Sequence, residues 1–398
     1  MTRVVPFKPE LDNGKVQARA SVESGGRRFE IAYRFSRGPI AETSTAYLAA
    51  TLIPAMRAGE NLKVEGTVSP KLLATAPAIQ GILSKWFPRT RGVEVDATPD
   101  PETKSSGAAC FFSGGVDSFY STLRHLDEID ALVFVHGFDI QPRHVGLRRR
   151  ISASLRAAAE ALDKPLIEVE TNVRSFSDEF ALWSEEYHGS ALASVALMLS
   201  PQFGRFYIPA SFPPRYSAPW GSHKDVDPLW GSEAVEIVHD GAEASRVDKA
   251  RFIGDSEVAM RFLRVCWENR NGNYNCGRCE KCVRTMVNLS VVGALQRSMT
   301  LPHKLDLSLI SRMPIPDECA RIFIEDNLEA AKAAGDIALA AAIAASLERK
   351  QGGFSDRLRR GDLRGRMRRR LTRVMRQPLY DWSLPEPFET WARAGSAG

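Results

Sequence analysis

CFFSGGVDSFYSTL, running from Cys110 to Leu123, places two adjacent glycines between a short apolar run and an apparent helix. AACFF (108–112) has the length of a buried strand, and FYSTLRHL continues as a helix. Glycines at such a junction reach conformations barred to other residues and let the backbone approach a bulky anion. The amides of the turn and of the new helix then point at that anion, and the helix dipole favours negative charge. Ser113 and Ser118 can add hydroxyl donors beside Gly114, Gly115 and Val116. Asp117 repels a bare phosphate, so it either caps the turn or helps to hold Mg²⁺ on the phosphates. The plain alternative is a flexible turn capped by a serine. Five fixed positions, each filled about 7% of the time, match by chance in fewer than about one chain in a thousand of this length. The pattern also lacks the Gly-Lys-Ser/Thr ending of the nucleoside-triphosphate P-loop.

Outward from this turn, strands and helices alternate. ALVFV (131–135), PLIEVE and FYIPA read as buried strands, separated by the helical stretches RRRISASLRAAAEAL and HGSALASVALMLS. That rhythm predicts an α/β fold, a parallel sheet with helices on both faces and ligands at the strand C-termini. Residues 1–104 read instead as a small α+β domain. Val16 to Val22 and Phe29 to Phe35 form a hairpin around Ser24-Gly25-Gly26, followed by a helix from Thr45 to Arg57, the strand LKVEGTV, a helix from Lys71 to Trp86 and a last strand in GVEVDATPD. The sheet domain then spans 105–318, with a four-cysteine module at 262–290, and a helical, Arg-rich region covers 319–398.

VCWENRNGNYNCGRCEKCVRTM contains Cys266, Cys276, Cys279 and Cys282. Two C-x-x-C steps and a fourth cysteine across a polar loop can close a tetrahedron of sulfurs round one metal. Arg270, Arg278, Lys281 and Arg284 offset the thiolate charge. Four protein sulfurs leave no open position for water, so the site reads as structural zinc, with an iron–sulfur cluster as the alternative. Cys110 and Cys319 stand apart and read as packing residues.

SGGVDS resembles the PP-loop, SGGxDS, of the N-type ATP pyrophosphatases. Combined with the distal cysteines, it resembles the 7-cyano-7-deazaguanine synthase family over residues 108 to 290. The resemblance implies an adenine-nucleotide α-hydrolase-like, Rossmann-like core and cleavage of ATP between its α- and β-phosphates. It also implies adenylation of an acceptor carboxylate, then attack of ammonia or an amine to give an amide or nitrile. Ser113, Gly114, Gly115, Val116, Asp117 and Ser118 would hold the phosphates and Mg²⁺. His136, Gly137 and Phe138 would lie beside the nucleoside, although His136 reads equally as a core or helix-capping histidine. Lys249 occupies the place of a family lysine ahead of the metal module, and is either a phosphate contact or a solvated lysine. The chain departs from the family in its long flanking regions and in PASFPPRYSAPWGSHKDVDPLW (209–230). There Arg215, Trp220, His223, Lys224 and Asp225 are candidate substrate contacts, unless the stretch is simply a lid.

The 398 residues are 44% hydrophobic and 25% charged, as in an ordinary soluble chain. No signal-peptide or membrane-anchor pattern stands out, and six cysteines do not suggest a secreted disulfide scaffold, so the expected compartment is the cytoplasm. Ten arginines and one aspartate lie between Arg357 and Arg376, while the remainder carries 43 basic and 47 acidic residues. That arm could follow nucleic-acid phosphates, anionic lipid or an acidic protein, or could be a solvated face. The expected activity is that of an ATP-dependent ligase. A tRNA base-modifying enzyme and a non-enzymatic ATP-binding module are the alternatives, and a homodimer stays open.

Overall fold

The computed structural model describes residues 1–349 except 13, 141–143, 214, 217, 270–271 and 316–317. The arginine arm at 357–376 therefore lies outside the described residues. The fold is α/β, built on one mostly parallel sheet of 11 strands.

Five parallel strands form one half of that sheet. They are β7 (Ala108–Phe111), β8 (Ala131–His136), β9 (Leu166–Thr171), β10 (Arg205–Pro209) and β11 (Glu236–Asp240), in the spatial order β11-β10-β7-β8-β9. Every residue of β7 and β8 is buried, as expected for strands covered on both faces. Helices α3 (Val116–Arg124), α4 (Val145–Ala161) and α6 (His188–Met198) fall on the predicted segments, and a short α5 (Val173–Ser177) follows β9. β11, with two acids and a histidine in five residues, carries too little apolar pattern to be read as a strand in advance.

The first hundred residues supply the other half. β1 (Thr2–Pro6), β3 (Lys15–Ser24), β4 (Arg27–Phe35), β5 (Leu62–Val68) and β6 (Val95–Pro99) continue the sheet, and β2 (Glu10–Asp12) pairs with β3. The join is antiparallel, with Tyr33, Arg34 and Phe35 of β4 opposite Thr171, Glu170 and Val169 of β9. Helix α1 (Thr45–Ala58) lies against α6, and α2 (Pro70–Trp86) starts at Ser69, whose hydroxyl accepts from the Leu72 amide at 3.1 Å. Tyr187 donates to the Ala50 carbonyl at 2.6 Å, and Tyr33 shares a 2.9 Å hydrogen bond with Ser194. One apolar core thus runs from Val4 and Ile31 through Leu48 to Val133, Ala191 and Phe206, across the boundary that the sequence places near residue 104. Each fully buried Val, Leu, Ile or Phe among them stabilises the fold by roughly 1.5–3 kcal/mol.

After β11 come α7 (Arg246–Gly254), α8 (Glu257–Phe262), α9 (Glu280–Val291), α10 (Leu307–Ser311), α11 (Glu318–Ala333) and α12 (Ile337–Glu348). No described helix is long and apolar enough to cross a membrane.

The strand order fixes where a ligand can sit. From β7 the chain moves to β8 on one side, then returns to β10 on the other. The crevice beyond the C-terminal ends of β7 and β10 lies at that reversal, the usual binding position in open α/β sheets.

Candidate phosphate-binding cavity and metal centre

The crevice holds a cavity of about 220 Å³. Its floor is the turn after β7. Gly114 has φ +74°, and a Cβ there would lie 2.7 Å from Leu155 Cδ2 and 3.7 Å from Arg264 Cβ. Gly115 is extended and precedes the first residue of α3, where no described side chain caps the helix. The Ser118 hydroxyl donates to the Gly115 carbonyl at 3.1 Å, and Ser113 Oγ lies 3.4 Å from Ser118 Oγ. The side chain of Val116 points into the core instead.

Asp117 does not cap the helix. Its carboxylate pairs with Arg246 at 3.0 Å and Lys249 at 3.4 Å, and accepts from the Ser211 hydroxyl at 3.4 Å. Both cations come from the start of α7, which Ser245 and Asp248 fix through a reciprocal capping box. Spaced three residues apart, they share a helix face. Lys249 is only 1% exposed, which excludes the solvated-lysine reading, and it donates to the Ala210 carbonyl at 2.6 Å. Burial lowers its pKa and the Asp117 charge raises it, with burial prevailing.

Two other cations line the cavity itself, and both belong to the cysteine module. Arg264 lies two residues before Cys266, and its amide donates to the Gly114 carbonyl at 2.7 Å. Its buried guanidinium reaches Asn269 Oδ1 at 2.8 Å, while Nε has no partner among the described residues. Lys281 stands between Cys279 and Cys282 at the start of α9. Burial lowers the pKa of each, and Asp139 is the chief charge opposing that shift. The far wall is aromatic, with Phe138 and Trp183 at 4.8 Å between ring centres, and His188 beside Trp220 at 6.0 Å.

Among the residues anticipated from sequence, Ser113, Gly115, Asp117, Ser118, Phe138 and Trp220 line this cavity. His136 does not. It turns into a buried pair with Glu168 at 2.7 Å, so its core reading holds. Burial alone would raise the Glu168 pKa, but the hydrogen bond and charge of His136, then Arg156 and Ser152, bring it down to about 2. Gly137 is needed because a Cβ there would meet the Thr171 carbonyl oxygen at 2.0 Å. Arg215 leaves the cavity to pair with Asp326 and Glu329 on α11, so it holds the 209–230 stretch against the C-terminal helices. His223 is buried edge-on to Trp86 at 4.8 Å, and Lys224 and Asp225 are exposed outside the lining. Arg246, Arg264, Trp183 and His188 were not picked out by motif.

The four cysteines converge. Cys266 Sγ lies 3.9 Å from Cys279 Sγ, Cys276 Sγ lies 3.9 Å from Cys282 Sγ, and all four sulfurs fall within 4.8 Å of one another. A tetrahedron with metal–sulfur bonds of about 2.3 Å has sulfur–sulfur edges of about 3.8 Å. The spacing therefore fits a single ion, whereas a cluster that gives each thiolate its own iron would spread the sulfurs further. The Asn269 and Cys279 amides donate to Cys266 and Cys276 at 3.3 and 3.2 Å. Cys110 is fully buried with its thiol pKa pushed up to about 12, as a packing residue, and Cys319 touches Tyr216 at 2.8 Å.

Comparison with known proteins places this chain beside none of them: no family model, no curated protein and no solved structure matches it.

Proposed function

We propose that the cavity binds ATP and that the protein adenylates an acceptor oxygen, releasing pyrophosphate. The observation that carries this reading is the turn at Ser113–Ser118. It is an uncapped helix N-terminus behind a left-handed glycine, set at the sheet's reversal point and ringed by buried cations. Phosphates would lie against the amides of the turn and the hydroxyls of Ser113 and Ser118, and the adenine would lie toward Val135 and Phe138. Asp117 would be the carboxylate available to Mg²⁺, which neutralises phosphate charge when bound. Such a core is of the adenine-nucleotide α-hydrolase type.

The acceptor is a carboxylate. Its oxygen attacks the α-phosphorus, the bond to the β-phosphate oxygen breaks, and pyrophosphate leaves with the electron pair. Ammonia or an amine then attacks the acyl carbon, AMP departs and a proton is lost, giving an amide. A second adenylation, at the amide oxygen, followed by loss of AMP would give a nitrile. The protein's part is positioning and charge stabilisation, and positioning alone can contribute up to about 7–11 kcal/mol. Lys249 and Arg246 hold the Asp117 carboxylate in one orientation. The cysteine module would carry structural zinc, which has no open position for chemistry here.

The test is the fate of ATP. Purified protein with Mg²⁺, ammonium and a crude small-molecule extract should produce AMP and pyrophosphate, absent with Asp117→Asn. ADP as the product, or no turnover with any carboxylate and amine supplied, would overturn the reading.

A further inference from the structure

The cysteine module does more than close on itself. We propose that Lys281 and Arg264 form a phosphoryl-binding subsite carried by this module, in the same cavity as the Ser113–Ser118 turn. The proposal deepens the ATP reading above and rests on it for the ligand's class.

Two cations in the cavity wall point to an anionic ligand. Asp117 is already matched by Arg246 and Lys249. Arg264 is 5% exposed with Nε unpartnered, and the Lys281 ammonium makes no hydrogen bond or ion pair among the described residues. The charged groups around Lys281 are Asp139, Arg246, Arg284 and Asp117, and the groups acting on Arg264 are Asp139, Tyr274, Cys266 and Cys282. Asp139 is exposed to solvent and Lys281 is half-buried, so on the cavity side the carboxylate nearest these two cations is a hydrated one, while the cysteine sulfurs belong to the module itself. Enclosed charge without a partner is unfavourable, and a phosphoryl oxyanion offers both charge and several acceptors.

The module also fixes where these cations stand. Arg264 is bonded through its amide to Gly114, and Asn275 ties this segment down, accepting from the Val265 and Cys266 amides at 2.9 and 3.1 Å. Lys281 lies between two of the four cysteines. A metal ion that closes the four sulfurs therefore sets both cations at once. Metal retention and phosphoryl binding should strengthen each other equally, because such coupling is reciprocal.

The experiment is calorimetric titration of the full-length, zinc-loaded protein with inorganic pyrophosphate and with AMP, together with zinc release to a chelator. Lys281→Met should weaken pyrophosphate at least about tenfold, as loss of a charged hydrogen bond does, and Lys281→Arg should restore most of it. Arg261→Ala, exposed on α8 and outside the cavity lining, should change nothing. A parallel loss for AMP would put the subsite at the transferred phosphate, and a loss for pyrophosphate alone at the leaving group. Saturating pyrophosphate should slow zinc release from the unmodified protein. Undiminished pyrophosphate binding by Lys281→Met at full zinc content would overturn the proposal, as would zinc release indifferent to pyrophosphate. Binding lost in Lys281→Met while the unmodified protein makes no AMP would keep the subsite and sink adenylation. AMP formation with undiminished binding would do the reverse.

Discussion

The chain uses the tripeptide Ser-Gly-Gly twice and folds it in two ways. Ser24, Gly25 and Gly26 close the β3–β4 hairpin, where both glycines are left-handed, with φ +59° and +69°. That two-residue turn matches the twist of its strands. Ser113, Gly114 and Gly115 join β7 to α3, where only Gly114 is left-handed and Gly115 is extended. A Cβ on Gly26 would have nothing within 4 Å, whereas one on Gly114 would strike Leu155. The difference is set by the residues after each glycine pair. Arg27, Arg28 and Phe29 resume an alternating strand, and Val116, Asp117 and Ser118 open a helix over a cavity. A glycine pair marks a bend, and its neighbours decide whether the bend is a connector or a cradle.

The sharpest contrast is at the fifth position of each stretch. Arg28 pairs with Glu23 on the surface, where both side chains are about half exposed or more, at 75% and 47%. Removing such a pair changes stability by less than about 1 kcal/mol. Asp117 balances two cations that are 4% and 1% exposed. Asp117→Asn should abolish AMP formation and reduce stability by about 3 kcal/mol at pH 7, because buried charge loses its partner. The deficit has a pH sign. Burial already lowers the Lys249 pKa, and losing Asp117 lowers it further from the ordinary 10.5. A lysine with a depressed folded pKa weakens the fold below that pKa, and the penalty disappears as pH rises toward its unfolded value. Urea unfolding of both proteins at pH 7 and pH 10 should show the gap narrowing at pH 10. A gap that stays constant would mean Lys249 does not carry the cost.

Next in size is Gly114→Ala. A left-handed alanine costs about 1–2 kcal/mol, and Leu155, which must move, is wholly buried. Displacing the turn by part of an ångström should lower AMP formation about a hundredfold. If activity survives with stability reduced, the turn is only a connector and resembles the hairpin after all.

The parts legible in advance are those whose cause is local. β7 and β8 are apolar at nearly every position, the hairpin has its glycine pair, and the cysteines are close in sequence. The β4–β9 pairing was not legible, because it joins residues more than a hundred positions apart. Arg264 and Lys281 meet Asp117 in the cavity wall for the same reason: the fold, not their spacing, brings them together. For His136 a signal existed. β9 places Glu168 and Glu170 in a buried strand, and buried carboxylates need cationic or hydrogen-bonding partners. His136, Arg148 and Arg156 are those partners, so the histidine was committed to the core before any ligand could use it.

The smallest expected effect tests the hairpin itself. Gly26→Asn keeps the left-handed conformation, which asparagine tolerates, and adds atoms where a Cβ meets nothing within 4 Å. Stability should stay within about 0.5 kcal/mol, and AMP formation should be unchanged. Gly26→Ala, with no side-chain polar group to ease the left-handed turn, should cost about 1 kcal/mol more than asparagine does. Thermal unfolding and an AMP assay on the pair would therefore separate backbone strain from ligand contact, which Gly114 combines. A loss of AMP formation in Gly26→Asn would show that the hairpin reaches the chemistry through the β4–β9 join, and the two turns would then differ in distance from the cavity rather than in kind.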